Sequence, residues 1–388
     1  MKTSADRILT THAGSLPRPQ PLIDLILRRE QENAAVDPQA FEAETAKAVS
    51  DVVARQIAAG IDVISDGEMS KPSYTTYIRH RVTGIEPDPR AATRGHDIMI
   101  GRDLLAHPDF ASRQRNFAAV PFPGCVGELR YKDASALARD LAHLKAAAER
   151  LHATEAFMTA PSPGILTRFI INLHYPTEDA YLAALADVMR SEYKAIVDAG
   201  FLLQIDAPDL GSARNNQYRH LTDDEFRERI AERNVAALNA ATAGLPADRM
   251  RLHICWGNYE GPHSHDLPLL KIIDIAFKAR PQALSIEAAN PRHDHEWEDL
   301  KEIKIPDDKI LIPGVIDSTT NFIEHPRLVA QRIGRYATVI DRERLIAGVD
   351  CGFGTAVRAE PAIADSIAWA KLRALAEGAA IASKRLWG

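Results

Sequence analysis

The segment from Phe201 to Cys255 decides the fold, because it holds one complete unit of a pattern that recurs along the chain. Phe201–Asp206 (FLLQID) and Met250–Cys255 (MRLHIC) are short apolar runs typical of buried strands, and Asp223–Ala243 between them has helical periodicity. A strand, a helix and a second strand in this order predict two parallel strands joined by a crossover helix.

The same alternation extends over most of the sequence in both directions. The other candidate strands are Ile8–Thr11, Ile61–Ser65, Glu155–Thr159, Ala283–Glu287, Ile310–Val315 and Leu345–Val349. The other segments with helical periodicity are Phe41–Ala59, Ala136–His152, Glu178–Asp198, Leu267–Lys278 and Pro326–Ile340. No glycine-rich phosphate loop follows the first strand. The pattern therefore favours an α/β fold of the (β/α)₈ (TIM) barrel type over a doubly wound sheet.

The length of 388 residues suits either two or three ordinary domains or one barrel with insertions. No linker or low-complexity tract divides the chain, so we predict a single catalytic barrel over residues 1–388. Residues 70–132 are rich in His, Arg, Pro and Gly and show little periodicity. We expect this stretch to be an inserted irregular region that covers one mouth of the barrel.

Composition excludes several classes of function. The chain is 46% apolar and 26% charged, and its net charge of −6 comes without any basic run, so no nucleic-acid partner is expected. No apolar stretch is long enough for a membrane span, and residues 1–7 lack the apolar core of a secretory signal. Three cysteines cannot form a disulfide framework, which predicts a reducing cytoplasm. Self-association is left open.

Residues 251–259 (RLHICWGNY) carry the most informative chemistry. Alternate side chains of a strand share a face, so His253 and Cys255 point the same way, at the carboxyl end where barrels place their active sites. The pair is half of a zinc site, although a core histidine beside a small buried cysteine is the plainer interpretation. Glu287 ends the next strand, and Cys351 follows the last strand in a glycine-rich turn (GVDCGFG). One imidazole, two thiolates and one carboxylate suit tetrahedral zinc.

With these motifs the chain resembles the cobalamin-independent methionine synthases, from residues 10–19 (TTHAGSLPRP) to residues 350–352 (DCG). The match corresponds to their catalytic (β/α)₈ half. It implies that His253, Cys255, Glu287 and Cys351 bind zinc. It also implies that Ser15, Glu68 and Asp206 hold the amino-acid end of homocysteine, the small-molecule thiol that receives a methyl group from an alkyl donor to give methionine.

Two positions depart from the family. Thr319 stands where the long enzymes carry a histidine that would donate a proton to the departing folate, and Ala207 stands where a second acidic residue is usual. Residues 161–164 (PSPG) also lack the tryptophan on which folate would stack. The likeness to a 5-methyltetrahydropteroyltriglutamate–homocysteine S-methyltransferase therefore predicts a zinc-dependent methyltransferase and leaves its alkyl donor open.

Two alternatives remain at this stage. Epoxyalkane:coenzyme M transferases share the barrel and its metal chemistry, and Arg18 and Arg168 offer positive charge for the sulfonate of coenzyme M. A non-catalytic zinc-binding barrel is the other alternative, since four protein ligands are usual in structural sites. The histidines of residues 263–265 (HSH) and 293–296 (HDHE) resemble metal ligands by composition, but their place in polar loops favours solvated or turn-forming roles.

Overall fold

The computed structural model describes residues 1–30, 36–112, 122–132, 134–358 and 362–388. Its strands are short and almost entirely buried. They are β1 Leu9–Thr10, β2 Val63–Ser65, β3 Ile85–Pro87, β4 Pro123–Cys125, β5 Glu155–Pro161, β6 Ile171–Asn172, β7 Leu202–Asp206, β8 Met250–Ile254, β9 Ala283–Ile286, β10 Ile310–Pro313 and β11 Ile346–Ala347. Each strand predicted from the sequence overlaps one of these.

Six strands form a curled parallel sheet in the order β10-β9-β8-β7-β5-β2, and β1 pairs in parallel with β11. Isolated parallel bridges connect the two sheets at both edges, Thr11 to Val63 on one side and Leu311 to Leu345 on the other. The register places His253 of β8 beside Asp206 of β7 and Ser285 of β9. These three side chains therefore share one face and one level of the sheet.

The helices follow the strands. They are α1 Gln20–Glu30, α2 Pro38–Ala58, α3 Pro89–Met99, α4 Arg102–Ala106, α5 Pro108–Ala111, α6 Ser135–Arg150, α7 Pro163–Phe169, α8 Glu178–Asp198, α9 Asp223–Phe226, α10 Glu232–Ala241, α11 Ile273–Phe277, α12 Pro326–Tyr336 and α13 Asp365–Trp387. Single 3₁₀ turns occupy Thr76–His80, Pro208–Leu210, Ser212–Arg214, Ala247–Arg249, Leu269–Lys271, Asp299–Glu302 and Arg342–Arg344, and Arg227–Ala231 is a π-helical turn between α9 and α10.

Local sequence signals explain where several helices begin. The Thr177 side chain accepts a hydrogen bond from the Ala180 amide at the start of α8, and Thr222 and Glu225 form a reciprocal capping box at α9. Proline occupies the first turn of α2, after the cap Asp37. A cap of this kind stabilises a helix by about 1 kcal/mol.

Strand residues alternate between two apolar layers. Leu311 belongs to the large core between sheet and helices, whereas Ile310 and Ile312 belong to a smaller cluster on the opposite face, together with Leu9 and Ile346. Buried residues on both faces are what a parallel sheet covered by helices requires. In the described part of the chain, no helix combines the length and apolarity needed to cross a membrane.

Two sequence predictions need correction. The region at about 70–132 is not irregular: its described part contains α3 to α5 and a small sheet, in which β3 and β6 both pair with β4. α4 and α5 are too short to produce a visible period, whereas the eleven-residue α3 has an amphipathic pattern that we did not recognise. Residues 113–121 and 133 of this region lie outside the described residues.

The helix predicted at Leu267–Lys278 is also wrong in part. It consists of a 3₁₀ turn at Leu269–Lys271 and then the five-residue α11. Pro268 precedes the turn, and the Ile272 backbone leaves the helical region (φ −130°) between the two pieces. Besides α3 to α5, the sequence analysis did not predict three further helices, namely α1, α7 and α13.

Candidate metal centre and substrate cavity

Three potential metal ligands meet at the carboxyl ends of the strands. His253 belongs to β8, Cys255 follows it directly, and Cys351 lies in the loop after β11. One ligand atom from each lies within 4.8 Å of the others, and the three residues are 3%, 6% and 8% exposed. Residues from separated parts of the sequence are thus brought to one buried point.

One imidazole nitrogen of His253 contacts a neighbouring side chain, and the other has no hydrogen-bond partner among the described residues. Its Nδ1 lies 3.2 Å from the hydroxyl of Ser285, on the neighbouring strand. Its Nε2 is buried and has no hydrogen-bond partner among the residues described. A buried polar atom without a partner costs about 1–3 kcal/mol, so a histidine held in this way suits a metal ion better than a role in the core.

The two thiols differ in acidity. A hydrogen bond from Cys351 and the neighbouring His253 lower the pKa of Cys255 well below its ordinary value. The same contact with Cys255, together with burial, raises the pKa of Cys351. Burial lowers the pKa of His253, but the negative charge of the neighbouring Cys255 thiolate outweighs burial, so the net shift is upward. Ionisation of one of the two thiols therefore opposes ionisation of the other.

Glu287 lies next to this group but outside it. Its Oε1 accepts a hydrogen bond from the Trp256 amide at 3.3 Å, and its Oε2 accepts one from Asn290 Nδ2 at 3.2 Å. Burial and the nearby Cys255 and Asp350 raise its pKa well above the ordinary value. Of the four ligands expected from the sequence, three are assembled, and the carboxylate is held close by.

Asp350 is a positioning residue that the sequence analysis missed. Its Oδ1 accepts hydrogen bonds from the Ala288 and Ala289 amides at 2.8 and 2.9 Å, and its Oδ2 accepts one from Asn290 at 2.8 Å. These bonds fasten the loop after β9, which carries Glu287, to the loop that carries Cys351. The only sequence signal was its place beside Cys351, which says nothing about its partners.

Glu68 occupies a constrained turn. Its backbone has φ +57°, a left-handed conformation that is costly outside glycine. Its Oε1 accepts a hydrogen bond from Thr159 Oγ1 at 2.9 Å, while its Oε2 is buried without a partner in the described structure. Burial raises its pKa. One carboxylate oxygen is therefore available for a ligand.

Asp206 and Ser15 complete the group expected to bind the substrate. Burial raises the pKa of Asp206 to about 7, and its Oδ1 accepts a hydrogen bond from Gln204 at 2.7 Å. Ser15 packs against the turn of Cys351 so closely that a Cβ on Gly352 would lie 1.9 Å from the Ser15 Oγ. Only glycine fits at position 352.

One cavity of about 310 Å³ is lined by the three converging ligands and by the three residues expected to bind the substrate, namely His253, Cys255, Cys351, Ser15, Glu68 and Asp206. Residues Met99, Gly101 and Asp103 from the region at 70–132 form part of its wall. Asp103 ties that wall to the loop after β8, because it accepts a hydrogen bond from the Ser264 hydroxyl at 2.7 Å. Thr319 also lines the cavity, and its hydroxyl donates to Asp317 at 2.8 Å.

Three histidines of the segments 263–265 and 293–296, namely His263, His265 and His293, make contacts of their own beside the metal centre. His263 Nδ1 and His293 Nε2 both contact Asp266 Oδ2, at 2.6 and 3.2 Å, and His293 Nδ1 contacts Glu296 at 2.7 Å. The Trp256 ring stacks on His293, with a centroid separation of 4.3 Å. His265 Nδ1 contacts Asp103 at 2.9 Å. These interactions give His263 and His293 a structural role.

Comparison with known families gives one match that covers more than half of the chain. The family model described as cobalamin-independent synthase, catalytic domain, matches residues 141–371. This range includes Asp206 and all four candidate metal ligands, whereas Ser15 and Glu68 precede it.

Individual relatives are more distant. A methionine synthase of Sulfolobus acidocaldarius is 24% identical, over 88% of this chain and 85% of its own length. A 2-hydroxypropyl-CoM lyase of Xanthobacter autotrophicus is 25% identical, over 98% and 96%. The structure of a B12-independent methionine synthase from a Shewanella species, in complex with selenomethionine, superposes with a TM-score of 0.72 at 21% identity and covers 98% of this chain and 99% of that one. That likeness supports the fold.

Proposed function

This chain belongs to the cobalamin-independent synthase family, and we propose that it is a zinc-dependent methyltransferase that converts homocysteine to methionine. The observation that carries the proposal is the buried group of His253, Cys255 and Cys351, whose ligand atoms lie within 4.8 Å of one another. A nitrogen and two sulfurs from distant parts of the sequence are a typical donor set of catalytic zinc.

The residues fit a zinc ion. The unpartnered Nε2 of His253 and the two sulfurs would hold it, and Glu287, which lies beside them, is the proposed fourth protein ligand. Bound zinc supplies one piece of chemistry, which is the deprotonation of a thiol at neutral pH. Two thiolates and a carboxylate would leave the site anionic, so a substrate thiolate would remain nucleophilic.

The neighbouring side chains would orient the substrate. Glu68 and Asp206 would bind the ammonium group of homocysteine, and Ser15 with nearby amides would bind its carboxylate. The free Oε2 of Glu68 supports this role, as does the raised pKa of Asp206, which a bound cation would lower again. In the reaction the sulfur bonds to the methyl carbon, the bond between methyl and donor breaks, and its electron pair stays with the donor.

We also infer that the two sheets close into a single (β/α)₈ barrel over residues 1–388. The parallel bridges at both edges support closure. So does Arg251 of β8, whose Nη1 donates across the interior to Thr11 Oγ1 at 2.9 Å. The three cysteines are buried and free of disulfides in the described structure, which supports a reducing, cytoplasmic location.

The test is a titration of zinc-loaded protein with homocysteine. We expect about one equivalent of zinc, one proton released per thiol bound, and, on adding homocysteine, a third sulfur near 2.3 Å from the zinc by X-ray absorption, beside the sulfurs of Cys255 and Cys351. Cys125→Ser serves as a matched control, because Cys125 is buried in β4 and does not line the cavity. Less than half an equivalent of zinc in metal-replete preparations would contradict the proposal.

Coenzyme M is the second candidate substrate, because Arg168 offers positive charge in the same cavity. The sulfonate of coenzyme M would be repelled by Glu68 and Asp206, whereas the ammonium group of homocysteine would be attracted. A parallel titration with coenzyme M separates the two candidates, since the preferred thiol releases its proton at the lower concentration.

A further inference from the structure

Lys71 is a buried lysine that the proposed mechanism does not use. It is 1% exposed and lies three residues after Glu68, but it is not among the residues that line the substrate cavity. An ammonium group has three hydrogen-bond donors and no acceptor. Burying such a group is costly unless its partners compensate for the lost water, so the partners of Lys71 indicate its role.

The ammonium group of Lys71 is directed at Thr159 of β5. Its Nζ donates to the backbone carbonyl of Thr159 at 2.7 Å and to the Thr159 hydroxyl at 3.1 Å. Nζ also lies over the ring of Tyr77, 4.6 Å from the ring centroid. Among the described residues, no carboxylate forms an ion pair with Lys71. The hydrogen-bonded link from this cation to a carboxylate therefore runs through Thr159.

Thr159 connects Lys71 to Glu68. Because an ammonium group cannot accept, the Thr159 hydroxyl is the acceptor in its contact with Lys71. Its single proton is then donated to Glu68 Oε1 at 2.9 Å. The direction of this chain of hydrogen bonds is thus fixed, and Oε1 is always an acceptor. Oε2, which has no partner in the described structure, is the oxygen left for a ligand.

Lys71 also favours the charged form of Glu68. Burial raises the pKa of Glu68, and the positive charge of Lys71 is the strongest effect in the opposite direction. Arg18 acts in the same sense as Lys71, whereas Asp66 and Asp206 are the acidic groups that oppose ionisation of Glu68. Arg18 donates to the backbone carbonyl of Glu68. Of the two cations, Lys71 is the one connected to the carboxylate by hydrogen bonds.

Two other buried lysines have different partners. Lys309 donates to two backbone carbonyls, both at 2.7 Å. Lys371 binds Glu324 at 3.0 Å, and that carboxylate does not line the cavity. Burial of a lysine is therefore not by itself a sign of function in this protein. What distinguishes Lys71 is that its hydrogen bonds lead to a cavity carboxylate with a free oxygen.

We propose that Lys71 is a positioning residue for the thiol substrate, and that through Thr159 it holds the Glu68 carboxylate so that Oε2 receives the ammonium group of that substrate. The assignment of this ammonium group rests on the proposed function. Lys71 thereby makes the cavity selective for thiols that carry an ammonium group. Gly14 bounds the same unit, since a Cβ there would lie 2.5 Å from Thr159 Cγ2 and 3.0 Å from Glu68 Oε1.

The first test compares three thiols on zinc-loaded protein by calorimetry. They are homocysteine, 3-mercaptopropylamine, which lacks the carboxylate, and 4-mercaptobutanoate, which lacks the amine. We expect Lys71→Met to weaken binding of the two amines by about tenfold or more and to leave the affinity for 4-mercaptobutanoate undiminished. The matched control Lys309→Met replaces a buried lysine outside the cavity and should change none of the three affinities. Equal losses for all three thiols in Lys71→Met would overturn the proposal.

A double-mutant cycle shows whether Lys71 acts through Glu68. In a Glu68→Gln background, Lys71→Met should change homocysteine affinity by less than about twofold, because the carboxylate that it positions is gone. Thr159→Ser, which keeps the hydroxyl, should retain more of the affinity than Thr159→Val. An undiminished effect of Lys71→Met in the Glu68→Gln background would assign Lys71 a purely structural role.

Titration of the Glu68 carboxyl needs no substrate. With glutamate labelled with ¹³C at Cδ, and Glu68→Gln to assign the signal, Glu68 should protonate at a pH higher by about one unit or more in Lys71→Met. The absence of a change would contradict the proposal even where homocysteine binds. A change in a protein that does not bind homocysteine would contradict the proposed function and keep the link between Lys71 and Glu68. Should Lys71→Met not fold, Thr159→Val and Thr159→Ser decide both tests.

Discussion

Two clusters that contain histidine lie near Trp256, and they differ in whether every imidazole nitrogen has a hydrogen-bond partner. In the metal cluster, His253, Cys255 and Cys351 converge, and His253 Nε2 has no hydrogen-bond partner in the described structure. In the second cluster, both ring nitrogens of His263 and of His293 contact carboxylate or carbonyl oxygens. By amino-acid composition alone, the two clusters would be equally good candidates for a metal site. The unpaired nitrogen is what marks the first cluster as a site for a ligand.

The largest expected effect is on zinc content, which should fall when the metal cluster is mutated and stay unchanged when the second cluster is mutated. Cys351→Ser should weaken zinc binding by more than about 100-fold, which exceeds what loss of a supporting hydrogen bond costs, and should abolish methyl transfer. His293→Gln should retain a full equivalent of zinc. Elemental analysis after dialysis against a weak chelator measures both. Equal zinc loss in the two variants would remove the distinction.

Protonation of His293 in the second cluster should make the free energy of unfolding depend on pH. Burial opposes protonation of His293, but Asp266 and Glu296 raise its pKa to about 9, above the unfolded value of 6.5. Its stabilising contribution is therefore complete below pH 6.5 and is lost as the pH rises through 9. Between these limits the wild-type protein should lose up to about 3 kcal/mol of unfolding free energy relative to His293→Gln. Urea denaturation at a series of pH values checks this, and parallel curves would refute it.

The third prediction concerns homocysteine binding by Glu68, whose carboxylate also has an oxygen without a partner in the described structure. Glu68→Gln removes the charge from the carboxylate whose Oε2 lacks a partner in the described structure, so KM for homocysteine should rise about 10- to 50-fold. Glu324→Gln is the control, because that carboxylate already binds Lys371 at 3.0 Å and does not line the cavity. The control should lower stability and leave KM unchanged.

The smallest effect on zinc affinity is expected at Glu287. Its carboxylate is adjacent to the metal cluster but accepts hydrogen bonds from Trp256 and Asn290. Glu287→Gln should reduce zinc affinity by less than about tenfold, because the other three ligands remain. Competition with a chromogenic chelator gives the value. A loss as large as that of Cys351→Ser would instead make Glu287 a full member of the cluster.

The sequence predicted the parallel strands well because each is a short apolar run between turn residues, and alternation then placed His253 and Cys255 on one face. It did not predict α4 and α5, whose five and four residues carry too little periodicity, and it missed the amphipathic pattern of α3 in a region rich in Pro and Gly. The sequence also did not show that Glu287 lies beside the other three ligands and not among them. A carboxylate at a strand end can accept hydrogen bonds from neighbouring loops, and no local pattern reveals this. Whether Glu68 or His253 is fully paired depends on residues far away in sequence, and no local pattern encodes it.

The contact between Gly352 and Ser15 has a consequence for how the protein is made. It joins the loop after β1 to the loop after β11, which also carries Cys351. Nearly 100 residues of sequence separate this cysteine from Cys255. At about 5–20 residues per second, a ribosome exposes the His253–Cys255 pair about 5–20 seconds before Cys351 emerges. During that interval the nascent chain carries only two of the three converging ligands. The proposed metal site is therefore complete only after Cys351, which follows β11, has been translated.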